Sequence, residues 1–258
     1  MPVTPEHTVR SYSLELERLS NLLTQMGGVA EAQVKAAVAA VARRDATLAA
    51  QVMQADQRLD DYERAIDGEA IRLLALRQPM ASDLREIVSA LKVSADLERI
   101  GDYAANIAKR SLALAQVPAV RPAAAIPRMG RLVEEMLKDV IDAYIERDVD
   151  KAIAVRERDE DLDGLYTSLF REVLTDMMED PRTITPCTHL LFMAKNLERI
   201  GDHATNVAET IHFLVRGHAL AGDRQKGDSS SFAIVTPDAV TPDAVAPAPL
   251  PSAEGAGA

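Results

Sequence analysis

Tryptophan is absent from this 258-residue chain, and aromatic residues make up only 3% of it. A core without large rings has to be assembled from Leu, Ile, Val, Ala and Met. That favours packed helices over a sheet-based core. The single cysteine, Cys187, excludes an intramolecular disulfide and a cysteine-rich zinc cluster. No nucleophile arrangement is readable around it, so it is expected to be a buried apolar residue. Long apolar runs are missing as well. The longest mild one, 36–42, is far too short to span a bilayer, and no basic segment leading into an apolar one opens the chain. A soluble, cytoplasmic protein without membrane insertion is expected. Positive charge is in deficit, with 29 Lys and Arg against 40 Asp and Glu, a net charge of −11. Such a chain repels nucleic acid and anionic membranes and attracts cations or a basic patch on a partner.

What is present reads as helix throughout. Leu16, Leu19, Leu23, Met26, Ala30, Val34, Ala37 and Val41 step by three or four along one stripe. Gly27 and Gly28 weaken the middle of that helix and are expected to bend it. After a polar turn near Arg43 to Asp45, a second helix is expected from about Thr47 to Leu76, ended by Pro79. Ser82 is placed to cap a third, running to about Leu114. Pro118, Pro122 and Pro127 mark a linker. Three more helices follow, at about 128–146, 149–178 and 188–215, with Pro181 and Pro186 between the last two. No sustained period-two alternation occurs, so no sheet is expected. The last 40 residues contain 23 Ala, Gly, Pro or Ser, and TPDAV occurs twice in succession. Such a segment cannot bury enough surface to offset its ordering entropy. The expected division is therefore 1–117 and 128–218 as two structurally similar three-helix bundles, a linker at 118–127, and a disordered tail at 219–258.

The strongest signal is self-similarity. Residues 97–108 read LERIGDYAANIA and 197–208 read LERIGDHATNVA, nine of twelve identical. Upstream, Asp56-Gln-Arg-Leu-Asp60 resembles Asp159-Glu-Asp-Leu-Asp163. On a helical wheel Leu97, Ile100, Gly101, Ala104 and Ala108 form a core stripe. Glu98, Asp102 and Asn106 line an adjacent ridge. Like charges at i and i+4 cost a helix a few tenths of a kcal/mol. That cost recurs at Glu198/Asp202, Asp56/Asp60 and Asp159/Asp163. Hard cations prefer carboxylate oxygen. Two facing helices could thus supply four carboxylates to an ion: Glu98 and Asp102 against Asp56 and Asp60, and Glu198 and Asp202 against Asp159 and Asp163. The bland reading is a solvated face, with Arg99 and Arg199 pairing at i+3. His203, and Asn106 with Asn206, are candidates for a supporting or ligating role.

The doubled LERIGD-x-A-x-N-[IV]-A, with the lead-in RQPMASDLREIVSALKVSADLERIGD (77–102), resembles the PhoU family over about residues 10–216. The resemblance implies an all-α, tandem-duplicated, non-enzymatic protein, cytoplasmic and commonly dimeric. It implies a negative regulator of phosphate uptake and of the phosphate-starvation response. The implied partners are the ATPase subunit of a phosphate ABC transporter and a sensor histidine kinase. It also implies metal ions (iron, zinc, magnesium or manganese) on the four acidic pairs, with Tyr103 in place of a His suggesting unequal sites. Two alternatives stand beside it. One is a metal-free helical adaptor. The other is a ferritin-like di-metal enzyme, which needs repeated Glu-x-x-His motifs where this chain offers Glu209 and His212 alone.

Overall fold

In the computed structural model the described residues are 5–220, with side chains from Tyr12 onward. They form seven α-helices and no strand: α1 Pro5–Arg43, α2 Ala46–Ala55, α3 Gln57–Arg77, α4 Ser82–Ala115, α5 Ile126–Glu146, α6 Val149–Glu179 and α7 Ile184–Arg216. The first repeat is α1, α2–α3 and α4; the second is α5, α6 and α7. The disordered tail expected at 219–258 falls, from residue 221, outside the described residues.

Each repeat turns its first corner with the same device. Arg44 and Arg147 sit at φ 52° and 57°, in the left-handed region. Asp45 and Asp148 follow as N-caps, each accepting a backbone N–H three residues on at 3.0 Å. Such caps stabilise a helix by about 1 kcal/mol each. Ser82 does not cap α4. It is already inside the helix, preceded by Ala81 at φ 48°, and its hydroxyl approaches Asp83 Oδ1 at 3.2 Å. Proline did less than expected. Residues Arg121–Ala125 of the linker form a 3₁₀ turn, and Pro186 sits in the first turn of α7, where its missing N–H costs nothing.

The single second helix expected for the first repeat is broken at Asp56, whereas its counterpart α6 is continuous. Gln33 explains the difference. Its Nε2 reaches the carbonyl of Val52 at 3.5 Å, Asp56 Oδ1 at 2.9 Å and Gly101 O at 3.4 Å. A side-chain amide thus inserts into the ladder at the carbonyl that Asp56 N–H would otherwise meet. The corresponding residue of the second repeat is Met136, which has no donor to insert.

Four helices, α1, α4, α7 and α5, pack in a ring, and the buried apolar residues of both repeats join one core. The outer helices α2–α3 and α6 pack on that ring from their own repeat's side. The contacts obey an approximate two-fold. Gly27 of α1 faces Ile141 of α5, with a Cβ position 3.1 Å from Ile141 Cγ1, while Gly130 of α5 faces Val38 of α1. These are equivalent residues in exchanged places. Tyr103 and His203, also equivalent, face each other with ring centroids 5.6 Å apart. Helix α1 accordingly runs unbroken through Gly27 and Gly28, and Gly27 serves close packing rather than a hinge.

Candidate functional site: two acidic seams

Each repeat carries its LERIGD helix against its own outer helix, and the glycine fixes how close they come. A Cβ at Gly101 would lie 2.2 Å from Leu59 Cδ1 and 3.3 Å from Asp56 Oδ1. At Gly201 the same atoms are Leu162 Cδ2 at 2.4 Å and Asp159 Oδ1 at 3.3 Å. The missing side chain therefore lets a leucine and an aspartate of the outer helix press against the LERIGD backbone. This is how both halves bring two acidic ridges face to face.

In the first seam Asp56, Asp60, Glu98 and Asp102 come together as their spacing predicts. A fifth acid, Glu63, joins them. Burial pushes the Glu98 carboxyl above the usual range, and Asp102, Glu63 and Asp60 add to it. Burial also raises Asp56 against the hydrogen bond from Gln33, with Asp102 and Asp60 contributing. Glu63 is raised by burial and then by Asp67 and Asp60. Asp60 and Asp102 thus act on Asp56, Glu63 and Glu98 alike. Arg99 stands beside them, an exposed side chain 3.5 Å from Glu98 Oε2 and 3.4 Å from Asp102 Oδ2. Glu63 was missed in the sequence because only i, i+4 pairs were counted; it lies three residues past Asp60 and seven past Asp56, on the same ridge.

The second seam is drier. Asp159 and Asp163 are each 2% exposed, and the Glu198 side chain 5%. Burial raises the Glu198 carboxyl, with Asp202 and Asp163 adding to it and Lys195 opposing. Lys195 Nζ donates to Glu198 Oε1 at 2.9 Å, while Glu198 Oε2 is buried without a hydrogen-bond partner. Arg199 turns to the other repeat. Its guanidinium stands 5.7 Å over the ring of Tyr103 in the other repeat.

Oxygen-only donor sets of this kind suit a hard cation by their chemistry. Among the described residues, however, no three His, Cys, Asp or Glu side chains converge tightly enough to form a ready-made cage. Glu98 and Asp102, with Asp56 and Asp60 opposite, are the residues that could hold an ion in the first seam.

The supporting residues fall elsewhere. His203 does not face α6: its Nδ1 lies 2.7 Å from Asp96 Oδ1 of α4, and Asn206 Nδ2 donates to the same oxygen at 3.3 Å. Both belong to the contact between repeats, so a ligand role for them in the second seam is not supported by their placement. Asn106 is exposed. Cys187 is buried, as expected. Glu209 accepts from Arg156 Nε at 3.2 Å, while His212 is buried with its ring edge-on to His218. These two do not combine into a di-metal site.

The PhoU domain family matches residues 23–111 and 126–211, once in each repeat. The chain belongs to the PhoU family. A phosphate-specific transport system accessory protein PhoU homolog from Caulobacter vibrioides (strain NA1000 / CB15N) is 56% identical over 224 residues, covering 86% of this chain and 97% of that one. The crystal structure of PhoU from Pseudomonas aeruginosa superposes with a TM-score of 0.79 at 42% identity, covering 80% of this chain and all of that one. The phosphate transport system regulatory protein PhoU from Streptococcus pneumoniae superposes at 0.75 with 31% identity, covering 81% and 99%. The Caulobacter relative is named as an accessory protein and the Streptococcus one as a regulatory protein, and the family is not one of enzymes. Among the described residues no helix is long and apolar enough to cross a membrane.

Proposed function

We propose that this chain is a cytoplasmic, non-catalytic regulator of phosphate uptake. In this reading it docks on the ATPase subunit of a phosphate ABC transporter and on a sensor histidine kinase, and holds the phosphate-starvation response down when phosphate is plentiful. The observation that carries the reading is the family match over both repeats, with relatives named for phosphate transport. A helical protein without catalytic chemistry can act on a kinase only by binding one of its states better than the other. The ring of four helices offers a rigid body for that purpose, and the net charge of −11 suits basic partner surfaces. The protein works as a homodimer in this reading, and the acidic seams hold divalent or trivalent cations (magnesium, manganese, iron or zinc). Glu98, Asp102, Asp56, Asp60 and Glu63 would hold one such ion. Its chemistry there is charge neutralisation, which relieves the mutual repulsion of these carboxylates. The test is binding of the purified chain to the purified transporter ATPase and to the kinase's cytoplasmic part, followed by light scattering for its own oligomeric state. Saturable binding to both is expected, and binding to neither ends the reading.

A further inference from the structure

We infer that the groove between α1 and α2 is the face through which two copies of this chain pair, α1 against α1 in antiparallel order. The inference rests on the homodimer reading above and deepens it. The groove holds about 400 Å3, and its apolar lining is Val29, Ala32, Ala36, Leu48, Val52 and Ala55. Its α1 side is a ridge of small residues. Gly28 and Ala32 are exposed and Ala36 is half-buried, each one turn from the next. Nothing lies within 4 Å of a Cβ built at Gly28. Another helix can come close to the α1 backbone there. The second repeat shows that the fold does not require this open face. The offset that relates Asp56 to Asp159 places Arg131, Glu135 and Asp139 at the positions of Gly28, Ala32 and Ala36, and Arg158 at that of Ala55. Arg158 Nη2 donates to Asp139 Oδ2 at 2.5 Å, so an ion pair spans the corresponding place between α5 and α6. The first repeat has alanine at both ends of that bridge. One repeat thus presents charge to water, and the other presents an apolar groove of the kind that marks an interface.

Charge identifies the occupant. Glu31 and Lys35 stand one turn apart on the flank of the ridge that faces away from the groove. Two antiparallel helices related by a two-fold axis bring the same flank of each together. With the axis beside Ala32, Gly28 of one copy meets Ala36 of the other. Glu31 of each copy then comes within reach of Lys35 of the other. A parallel pair would set these charges against the Val29 and Ala36 flank instead. The face is therefore complementary to itself in shape and in charge, and a second copy satisfies both.

The experiment follows the full chain by sedimentation velocity over a concentration series. Wild type is expected to dimerise. Ala36→Asp with Ala55→Arg installs in the first repeat the ion pair that the second already carries, so the chain should keep its helix content and sediment as a monomer. Lys35→Glu sets Glu31 against a like charge across the axis and should weaken the dimer by about tenfold or more. Adding Glu31→Lys to it restores opposite charges and should restore the dimer, which a merely structural role for Lys35 would not do. Ala32→Cys should cross-link two copies on mild oxidation, with the native Cys187 buried out of reach. Should the Ala36→Asp, Ala55→Arg chain fold poorly, the charge exchange and the cross-link decide. A wild-type dimer that shows neither the loss and rescue at Glu31 and Lys35 nor the cross-link overturns this face and leaves the homodimer reading standing. A wild type that is monomeric throughout overturns both. If that monomer binds the transporter ATPase or the kinase, and Ala36→Asp with Ala55→Arg abolishes the binding, the groove belongs to that partner and not to a second copy.

Discussion

Replacing Gly101 by alanine tests the packing that creates the acidic seams. Alanine is the better helix former by about 1 kcal/mol, so at an open site the change stabilises. Gly101 is not open. The added Cβ would sit 2.2 Å from Leu59 Cδ1, with Asp56 Oδ1 at 3.3 Å and Gln33 Oε1 at 3.4 Å behind it. Leu59 is fully buried, so it has no solvent side to rotate into. Overpacking of this kind costs about 1–3 kcal/mol. After the propensity gain, a net loss of up to about 2 kcal/mol remains, which for a protein of this size lowers Tm by up to roughly 8 °C. The internal controls are Gly28 and Gly68, where nothing lies within 4 Å of the added carbon. Alanine at either should raise stability by up to about 1 kcal/mol. Gly130→Ala should be worse than Gly101→Ala, because the clash falls on Val38, whose branched Cβ leaves it little freedom to turn. Scanning calorimetry of the four variants gives the ranking. A Gly101→Ala protein as stable as Gly28→Ala would refute the claim that this glycine sets the approach of α3 to α4.

Three further outcomes are expected. On the cation-holding reading, changing Glu98 and Asp102 to alanine together should lower the Mn2+ bound per chain while leaving helix content unchanged; unchanged metal content in this variant, by elemental analysis, would refute a site on these acids. Arg44 Nη2 donates to Leu114 O at 2.6 Å and also to Val117 O, pinning the linker to the α1–α2 corner. Arg44→Gly removes that latch but suits the left-handed φ, so it should lose less stability than Arg44→Ala, by about 0.5–1 kcal/mol in urea melts. Arg77 grips both Glu15 oxygens, at 2.8 and 2.9 Å, and holds the Glu15 carboxyl below its ordinary range. A lowered folded-state value gives stability that is fully present above the unfolded carboxyl range and is lost as pH falls through the folded value. Glu15→Gln should therefore cost about 1 kcal/mol at neutral pH, the upper end for a partly exposed pair. The gap to wild type should close on acidification, and a gap that persisted at low pH would assign the loss to packing.

Much of this architecture was legible because it is local. The 3.6-residue stripe of Leu19, Leu23, Met26 and Ala30 defines a helix wherever it lies, and those four residues are fully or almost fully buried. The repeat was legible because two copies of LERIGD have to satisfy the same neighbour. The break at Asp56 was not legible: it depends on Gln33, distant in sequence, reaching across to the carbonyl of Val52. The role of Gly27 was misjudged for the same reason, since a glycine that bends a helix and one that seats Ile141 look alike until the partner helix is in place. His203 stands beside Asp202 in sequence. Its placement on α7 instead turns it to Asp96 of the other repeat.

The sequence by itself determined the helical class, the duplication and which carboxylates share a ridge, because these follow from periodicity along one chain. Only the tertiary structure decided how dry each ridge is and which base meets it. That depends on side chains of different helices meeting: Lys195 of α7 with Tyr166 of α6 in one repeat, Ala95 and Glu63 in the other. Charge is written in sequence, but neutralisation depends on distance and on exclusion of water, and both exist only once the helices have packed.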